Sequence, residues 1–357
     1  MRRVACAAIV GLLTLGLGCA KKMTTGESSI IGAESLTKRF KGYRTAVEIK
    51  APVAELEKLL LDPRILQMNM SLMRMEFLSG DNFSRLGDRA EYNISSLGLN
   101  FRVRAILVHY EPQKEIWYTG QGGTAIMLFR FGMEELGEGT RLNLSCEILE
   151  EGGPDFQQLA QLIDIYKLIA QGFEDAAANL QVRFDPSLSK DALLARGLRG
   201  EFFEAFYVGH KLEMQIEAAP ERVFQVFTTP AFWQGFEEET GSLVSPCFYE
   251  LRPGSNTGVC PVEIELFGDH FTLDTILSAH SFEKRYFYYF FWGDSRFQFA
   301  MNPTDQGGTR LSVFYLMPSS KLTDPALFNL AVNFGRIPEQ IKNKVLPAIK
   351  SRAEQKG

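Results

Sequence analysis

Apolar and polar residues alternate along several stretches of the chain, and that period of two predicts strands. Residues 43–50 form the first such stretch. Phe101, Val103, Ala105 and Leu107 share one face of a later strand, with Arg102 and Arg104 on the other. Met127, Phe129, Phe131 and Met133 line a third, and Leu142, Leu144, Cys146 and Ile148 a fourth. Residues 52–61 and about 63–70 read as short helices, and Pro52 suits a first helical turn, where its missing N–H is not needed. After residue 158 the period lengthens. Leu159, Leu162, Ile163, Tyr166, Ile169, Phe173, Ala177 and Leu180 recur at steps of mostly three and four, which places one apolar stripe along a long helix.

The same order then returns. Phe271, Leu273, Thr275 and Leu277 alternate with His270, Thr272 and Asp274; Phe297, Phe299 and Met301 alternate with Arg296 and Gln298. Leu311, Val313, Tyr315 and Met317 give the last strand's apolar face. The closing helix carries Leu327, Leu330, Ala331, Phe334, Ile341 and Val345, with Pro338 and Pro347 expected to kink or interrupt it.

Specific landmarks repeat as well. Val47-Glu48-Ile49-Lys50-Ala51-Pro52 resembles Met214-Gln215-Ile216-Glu217-Ala218-Ala219-Pro220, and Asp62-Pro63 matches Thr229-Pro230. Gly98 and Phe101 match Gly268 and Phe271, and Gly139-Thr140-Arg141-Leu142 recurs as Gly308-Thr309-Arg310-Leu311. The offsets run only from 167 to 170, so the chain reads as two copies of one domain, 43–184 and 207–355, joined by a linker, 185–206.

The region before the first copy has a different character. Arg2 and Arg3 precede an apolar run, 4–17, too short to span a bilayer. It reads as the core of a signal peptide, residues 1–18. Leu15-Gly16-Leu17-Gly18-Cys19 resembles a bacterial lipobox, with Gly16 standing where that motif usually has Leu. The resemblance implies that Cys19 becomes a lipidated N-terminus, followed by a polar tether, 19–42. Ala20 after the cysteine implies the periplasmic face of the outer membrane in a Gram-negative cell envelope. The lipid would anchor the chain to the membrane without threading it.

With 38 Lys+Arg against 43 Asp+Glu the net charge is −5, and it becomes −7 once Arg2 and Arg3 are removed. An acidic balance argues against nucleic acid as a partner. The chain is 45% hydrophobic and holds 28 Phe, so much apolar surface must be buried or must face a ligand. Tyr286, Phe287, Tyr288, Tyr289, Phe290, Phe291 and Trp292 form one continuous run with aromatics on both strand faces. One face can line the interior; the other needs a cover, from the first copy, a protein partner or the membrane surface. Cys247 and Cys260 flank an Arg-Pro-Gly-Ser-Asn turn signal, and a hairpin centred on Pro253-Gly254 sets them opposite each other, as a disulfide or as two free thiols.

A strand, two short helices, about six antiparallel strands and a long final helix, found twice, resemble the START-like (SRPBCC) superfamily, in its polyketide cyclase and coenzyme-Q-binding branches. The resemblance implies an α+β fold of two tandem helix-grip domains, each a curved antiparallel sheet wrapped around a long C-terminal helix. It also implies a deep apolar cavity for a lipid, quinone, sterol, polyketide or other hydrophobic small molecule. The inward faces supply the lining candidates: Phe101, Val103, Leu107, Phe129, Phe131, Leu142, Leu144, Tyr166 and Phe173 in the first copy. Phe271, Leu273, Phe297, Phe299, Leu311, Val313 and Phe334 are their counterparts in the second. The alternative is that these side chains simply pack on one another.

Motifs for nucleophilic, zinc-dependent or phosphate-binding chemistry do not occur. Of the four histidines, His109, His210, His270 and His280, His270 shares an outward parity with Asp274 and His280, and His109 has the inward parity of Phe101 to Leu107, near the strand end. Arg141 and Arg310 lie opposite the inward leucines. No catalytic residue, metal or cofactor is assigned. The expected function is a lipid-anchored envelope protein that binds or shuttles a hydrophobic small molecule. A cyclase or dehydratase and a non-binding interaction module are the alternatives.

Overall fold

The computed structural model describes residues 30–69, 73–80, 82–96, 99–122, 125–150, 164–197, 200–228, 258–267, 269–281, 286–291 and 293–355. The signal segment, Cys19, Gly98, Cys247, Gly268 and the Thr229-Pro230 step lie outside them.

The fold is α+β, dominated by antiparallel sheet. Its first part runs β1 (Ile30–Ile49), α1 (Val53–Leu60), a 3-10 turn (Pro63–Leu66), β2 (Met68–Asn69), β3 (Met73–Gly80), β4 (Arg89–Ser96), β5 (Leu99–Glu111), β6 (Glu115–Gly122), β7 (Ala125–Leu136), β8 (Gly139–Glu150), α2 (Ile165–Phe184) and α3 (Lys190–Arg196). The second part runs β9 (Glu201–Ile216), α4 (Pro220–Thr228), β10 (Gly258–Leu266), β11 (Asp269–Ser281), β12 (Tyr286–Phe291), β13 (Ser295–Pro303) and β14 (Thr309–Pro318). It closes with short helical pieces that include α5 (Phe328–Asn333), α6 (Ile337–Gln340), a π-helical turn (Ile341–Val345) and α7 (Leu346–Glu354).

Among the described residues, fourteen strands join one sheet, ordered β10-β11-β12-β13-β14-β9-β1-β8-β7-β6-β5-β4-β3-β2. Its centre is the antiparallel pair β1 and β9, in register from Gly32 opposite Glu213 to Arg44 opposite Glu201. The other edge of β1 pairs with β8, and that of β9 with β14. Repeated landmarks meet in matching ways across these two pairings. Val47 faces Leu142 and Met214 faces Leu311. Thr140 Oγ1 donates to the Ala51 carbonyl at 2.7 Å, and Thr309 Oγ1 donates to the Ala218 carbonyl at 2.6 Å. The glycine before each threonine is needed for close approach: a Cβ on Gly139 would stand 2.7 Å from the Ile49 carbonyl, and one on Gly308 2.6 Å from that of Ile216.

Three sequence expectations are corrected. The polar tether does not extend to residue 42, because Ile30–Gly42 continues β1 and is held by backbone bonds to β9 with most side chains in solvent. The linker 185–206 contains helix α3, and β9 already begins at Glu201. The second short helix, 63–70, is one 3-10 turn followed by β2; Asp62 caps it by accepting from the Arg64 N–H at 2.9 Å. The closing helix of the second copy runs from Phe328 to Glu354 through 3-10 and π-helical turns, with helical dihedrals before Pro338 and Pro347, each of which stands second in its segment.

Helix α2 is continuous. Asp164 caps it by accepting from the Tyr166 and Lys167 N–H groups, and its stripe Phe173, Ala177 and Leu180 packs on the inward sheet face. The first core forms there, with Val47, Leu107, Tyr118, Phe131, Leu142 and Leu144. A second core joins Leu212, Met214, Leu311 and Val313 to Phe334, Ile341 and Ile349 of the closing segments. A third lies on the opposite sheet face. Ile106, Val108, Leu128 and Leu149 there meet Tyr207, Ile276 and Leu316, so the outer faces of the two halves bury each other.

Candidate functional site

The inward candidates of the first half form a filled core. Leu107, Leu142, Leu144, Phe131 and Phe173 are buried, Phe129 is half-buried against them, and Phe129 meets Phe173 edge-on at 6.3 Å. Val103 is buried beside Gly120 and Gly122. Tyr166 is half-buried at the start of α2, under the exposed ring of Phe202. Phe101 takes its place in β5 opposite Ile94, and its side chain is outside the described residues.

The second half differs. Leu311 and Val313 are sealed at 0% and 2% exposure, yet Phe297 and Phe299 beside them on the inward face are only half-buried. Phe291 stacks on Phe297 at 4.9 Å, Phe297 on Phe299 at 6.4 Å, and Tyr315 tilts against Phe297 at 5.6 Å. Together they make an aromatic wall facing the segmented closing helix. Phe271 and Leu273 lie in β11 opposite Ile264 and Val262, with side chains outside the described residues.

One polar pair interrupts this wall. His210 on β9 stands opposite Tyr315 on β14, and its Nδ1 lies 2.5 Å from the Tyr315 hydroxyl. The Phe334 ring packs 5.2 Å from the imidazole. Burial lowers the His210 pKa to about 4 and raises that of Tyr315 well above the usual phenol range, so both are neutral near pH 7. The corresponding place in the first half has Tyr43 opposite Cys146, with Phe173 against the Tyr43 ring. Sequence reasoning missed this pair, although counting back from Met214 through Leu212 puts His210 on the inward parity.

His109 is corrected in the other direction. A β-bulge at Val108 shifts the β5–β6 register, so His109 pairs with Trp117 instead of continuing the inward row. Its ring lies 4.4 Å from that of Trp117, among the outward groups, and its Nε2 is 3.8 Å from Glu115. Burial, the largest influence, lowers its pKa.

Nearby, outward charges that look like ordinary surface residues meet in the seam between the halves. Glu147, 2% exposed, accepts from Arg130 and, at 2.8 Å, from the Tyr207 hydroxyl. Arg130 also reaches Asp294 at 3.5 Å, and Lys321 reaches Asp294 at 3.6 Å. Burial raises the Asp294 pKa against the pull of Lys321 and Arg130. The Arg130 guanidinium covers the Trp117 ring at 4.9 Å. Two cations and two carboxylates balance, which suits a structural bridge. Beside it a polar cleft of about 920 Å³ opens on the outer face, with Arg44, Arg130, Arg141, Glu111, Glu134 and Glu201 in its walls. Arg141 and Arg310 are exposed, as their parity predicts.

Among the described residues no cluster of His, Cys, Asp or Glu is arranged to hold a metal, and no helix is long and apolar enough to cross a membrane. Cys260 lies in β10 opposite Thr275; Cys247, and with it the disulfide, falls outside the described residues. Of the aromatic run, Phe291 points into the second core, while the side chains of Tyr286, Phe287, Tyr288, Tyr289 and Phe290, and all of Trp292, lie outside them.

No protein-family model matches the chain, and no curated protein matches it. Solved structures similar to it include the di-domain ARO/CYC of the BE-7585A biosynthetic pathway, at 13% identity and a TM-score of 0.35, covering 88% of this chain and 99% of that one. The di-domain ARO/CYC of the steffimycin biosynthetic pathway is 13% identical with a TM-score of 0.32, covering 87% and 98%. A protein from Chromobacterium violaceum is 18% identical with a TM-score of 0.31, covering 41% of this chain and 98% of its own.

Proposed function

We propose that this chain is a tandem helix-grip protein, anchored to the bacterial envelope through Cys19, that binds a hydrophobic aromatic small molecule in its second half. The observation that carries the reading is the half-buried, stacked pair Phe297 and Phe299 on an inward face whose neighbours Leu311 and Val313 are sealed. Two stacked aromatic rings left partly uncovered on an inward face suit a small-molecule site, which is lined mostly by apolar and aromatic side chains. Anchoring would hold such a binder beside a reservoir of apolar molecules.

A second reading is turnover of a cyclase or dehydratase type. It is favoured by the His210–Tyr315 pair, because a neutral imidazole bonded to a phenol can relay a proton. Native mass spectrometry of the purified mature chain tests binding directly. A bound apolar molecule that is lost on Phe297→Ala, with Phe129→Ala as the first-half control, is the expected result. A chain that stays empty after exposure to envelope lipid extract and to aromatic probes overturns the proposal.

A further inference from the structure

We infer that His210 and Tyr315 form a polar recognition point inside the second half that selects aromatic ligands bearing a hydroxyl or carbonyl oxygen over their plain hydrocarbon counterparts. This rests on the ligand-binding reading above and names the chemistry of the ligand. The two side chains are cross-strand partners, 7% and 2% exposed, and lie among Phe297, Phe334 and Met317. Among the described residues the only hydrogen-bond partner of either side chain is the other.

Hydrogen-bond valence then fixes what the pair can accept. A neutral imidazole has one donor and one acceptor, and a phenol hydroxyl has a donor and an acceptor. If the phenol donates to Nδ1, the imidazole keeps an Nε2–H donor and the phenol oxygen keeps acceptor capacity. If Nδ1–H donates instead, the phenol keeps its O–H and Nε2 becomes the acceptor. Either tautomer leaves one donor and one acceptor in an apolar surrounding. A ligand hydroxyl can satisfy one of the two, and a carbonyl oxygen can satisfy the donor. A hydrocarbon satisfies neither and leaves buried polar groups unmatched, so a site of this kind discriminates against it. The first half offers no such point, because Tyr43 there faces Cys146.

The test is equilibrium dialysis of the full mature chain against naphthol and naphthalene, two probes that differ by a single hydroxyl. The wild type is expected to bind naphthol about tenfold tighter. Tyr315→Phe and His210→Phe are each expected to bring the ratio close to one while leaving naphthalene affinity in place; Tyr43→Phe is expected to leave the ratio unchanged. Tyr315→Phe removes one oxygen only, so it keeps the test decisive should His210→Phe fail to fold. Equal wild-type binding of the two probes, or a preference that survives Tyr315→Phe, overturns the inference while leaving the ligand-binding reading intact. Binding of neither probe overturns the recognition point and counts against the reading beneath it.

Discussion

Thr140 donates its hydroxyl to the carbonyl of Ala51, 89 residues earlier, and so ties the start of the last strand of the first half to the end of its first strand. Thr309 does the same to Ala218 in the second half. Each threonine is almost wholly buried, so its removal leaves a carbonyl without water. Thr140→Val and Thr309→Val are each expected to cost about 1–2 kcal/mol in chemical denaturation. The double variant should lose the sum, because the two bonds share no partner. A neutral result for both would mean that the repeated threonine has no part in stability.

A second repeated position can be tested by adding one carbon. Gly42 and Gly209 pass close to the backbone of the neighbouring strand, and a Cβ at Gly209 would run into the Tyr315 carbonyl. Backbone cannot move aside as a side chain can, so Gly209→Ala should destabilise by about 3 kcal/mol. Gly335→Ala has open space at its Cβ and should change stability by about half a kcal/mol or less. Thermal melts of the two variants give the comparison.

The seam between the halves depends on matched charge. Arg130→Met leaves Glu147 buried without its cation, and a loss of about 3–5 kcal/mol is expected. Combining it with Glu147→Gln should recover part of that loss. A double-mutant cycle with no coupling between the two positions would contradict the bridge.

His210 gives stability a defined pH dependence. Its folded pKa, about 4, lies below the ordinary value of 6.5. Between those values the unfolded chain takes up a proton that the folded chain refuses, so stability falls as the pH drops from 6.5 towards 4 and then levels off. The full effect is on the order of 3 kcal/mol. His210→Phe should flatten this part of the curve, and identical pH profiles for the two proteins would exclude the buried neutral imidazole.

Anchoring has its own test. Cys19→Ala in the complete chain is expected to move the protein from the membrane pellet to the soluble fraction of lysed cells. Retention in the pellet would exclude lipidation as the anchor.

Much of the fold is legible in the residues themselves. Alternating runs such as Leu142 to Ile148 bury one face against a helix, so period and burial agree, and the GTRL segments recur because close strand approach needs the glycine and a buried carbonyl needs the threonine. The 30–42 part of β1 is not legible, because backbone pairing holds it and, among its described side chains, Leu36 and Phe40 are the ones that pack on the third core. Counting by parity fails at His109, where one inserted residue turns the row over. The seam charges fail for a different reason: the outward parity of Arg130 and Glu147 ordinarily means solvent, and only the packing of one half on the other buries them. In the candidate site the aromatic wall follows from alternation, whereas the His210–Tyr315 bond required the strand register.

Strand β1 is held on both edges, by β8 on one side and β9 on the other. Both partners come much later in the chain, so β1 must wait while the intervening residues are made. Such distant pairings are slow to close, because chain entropy is lost before the contacts repay it. The centre of the sheet is therefore assembled late, and a nascent first half presents an unsatisfied strand edge until β9 arrives. Synthesis of either half alone would make that edge permanent, with self-association as the physical outcome.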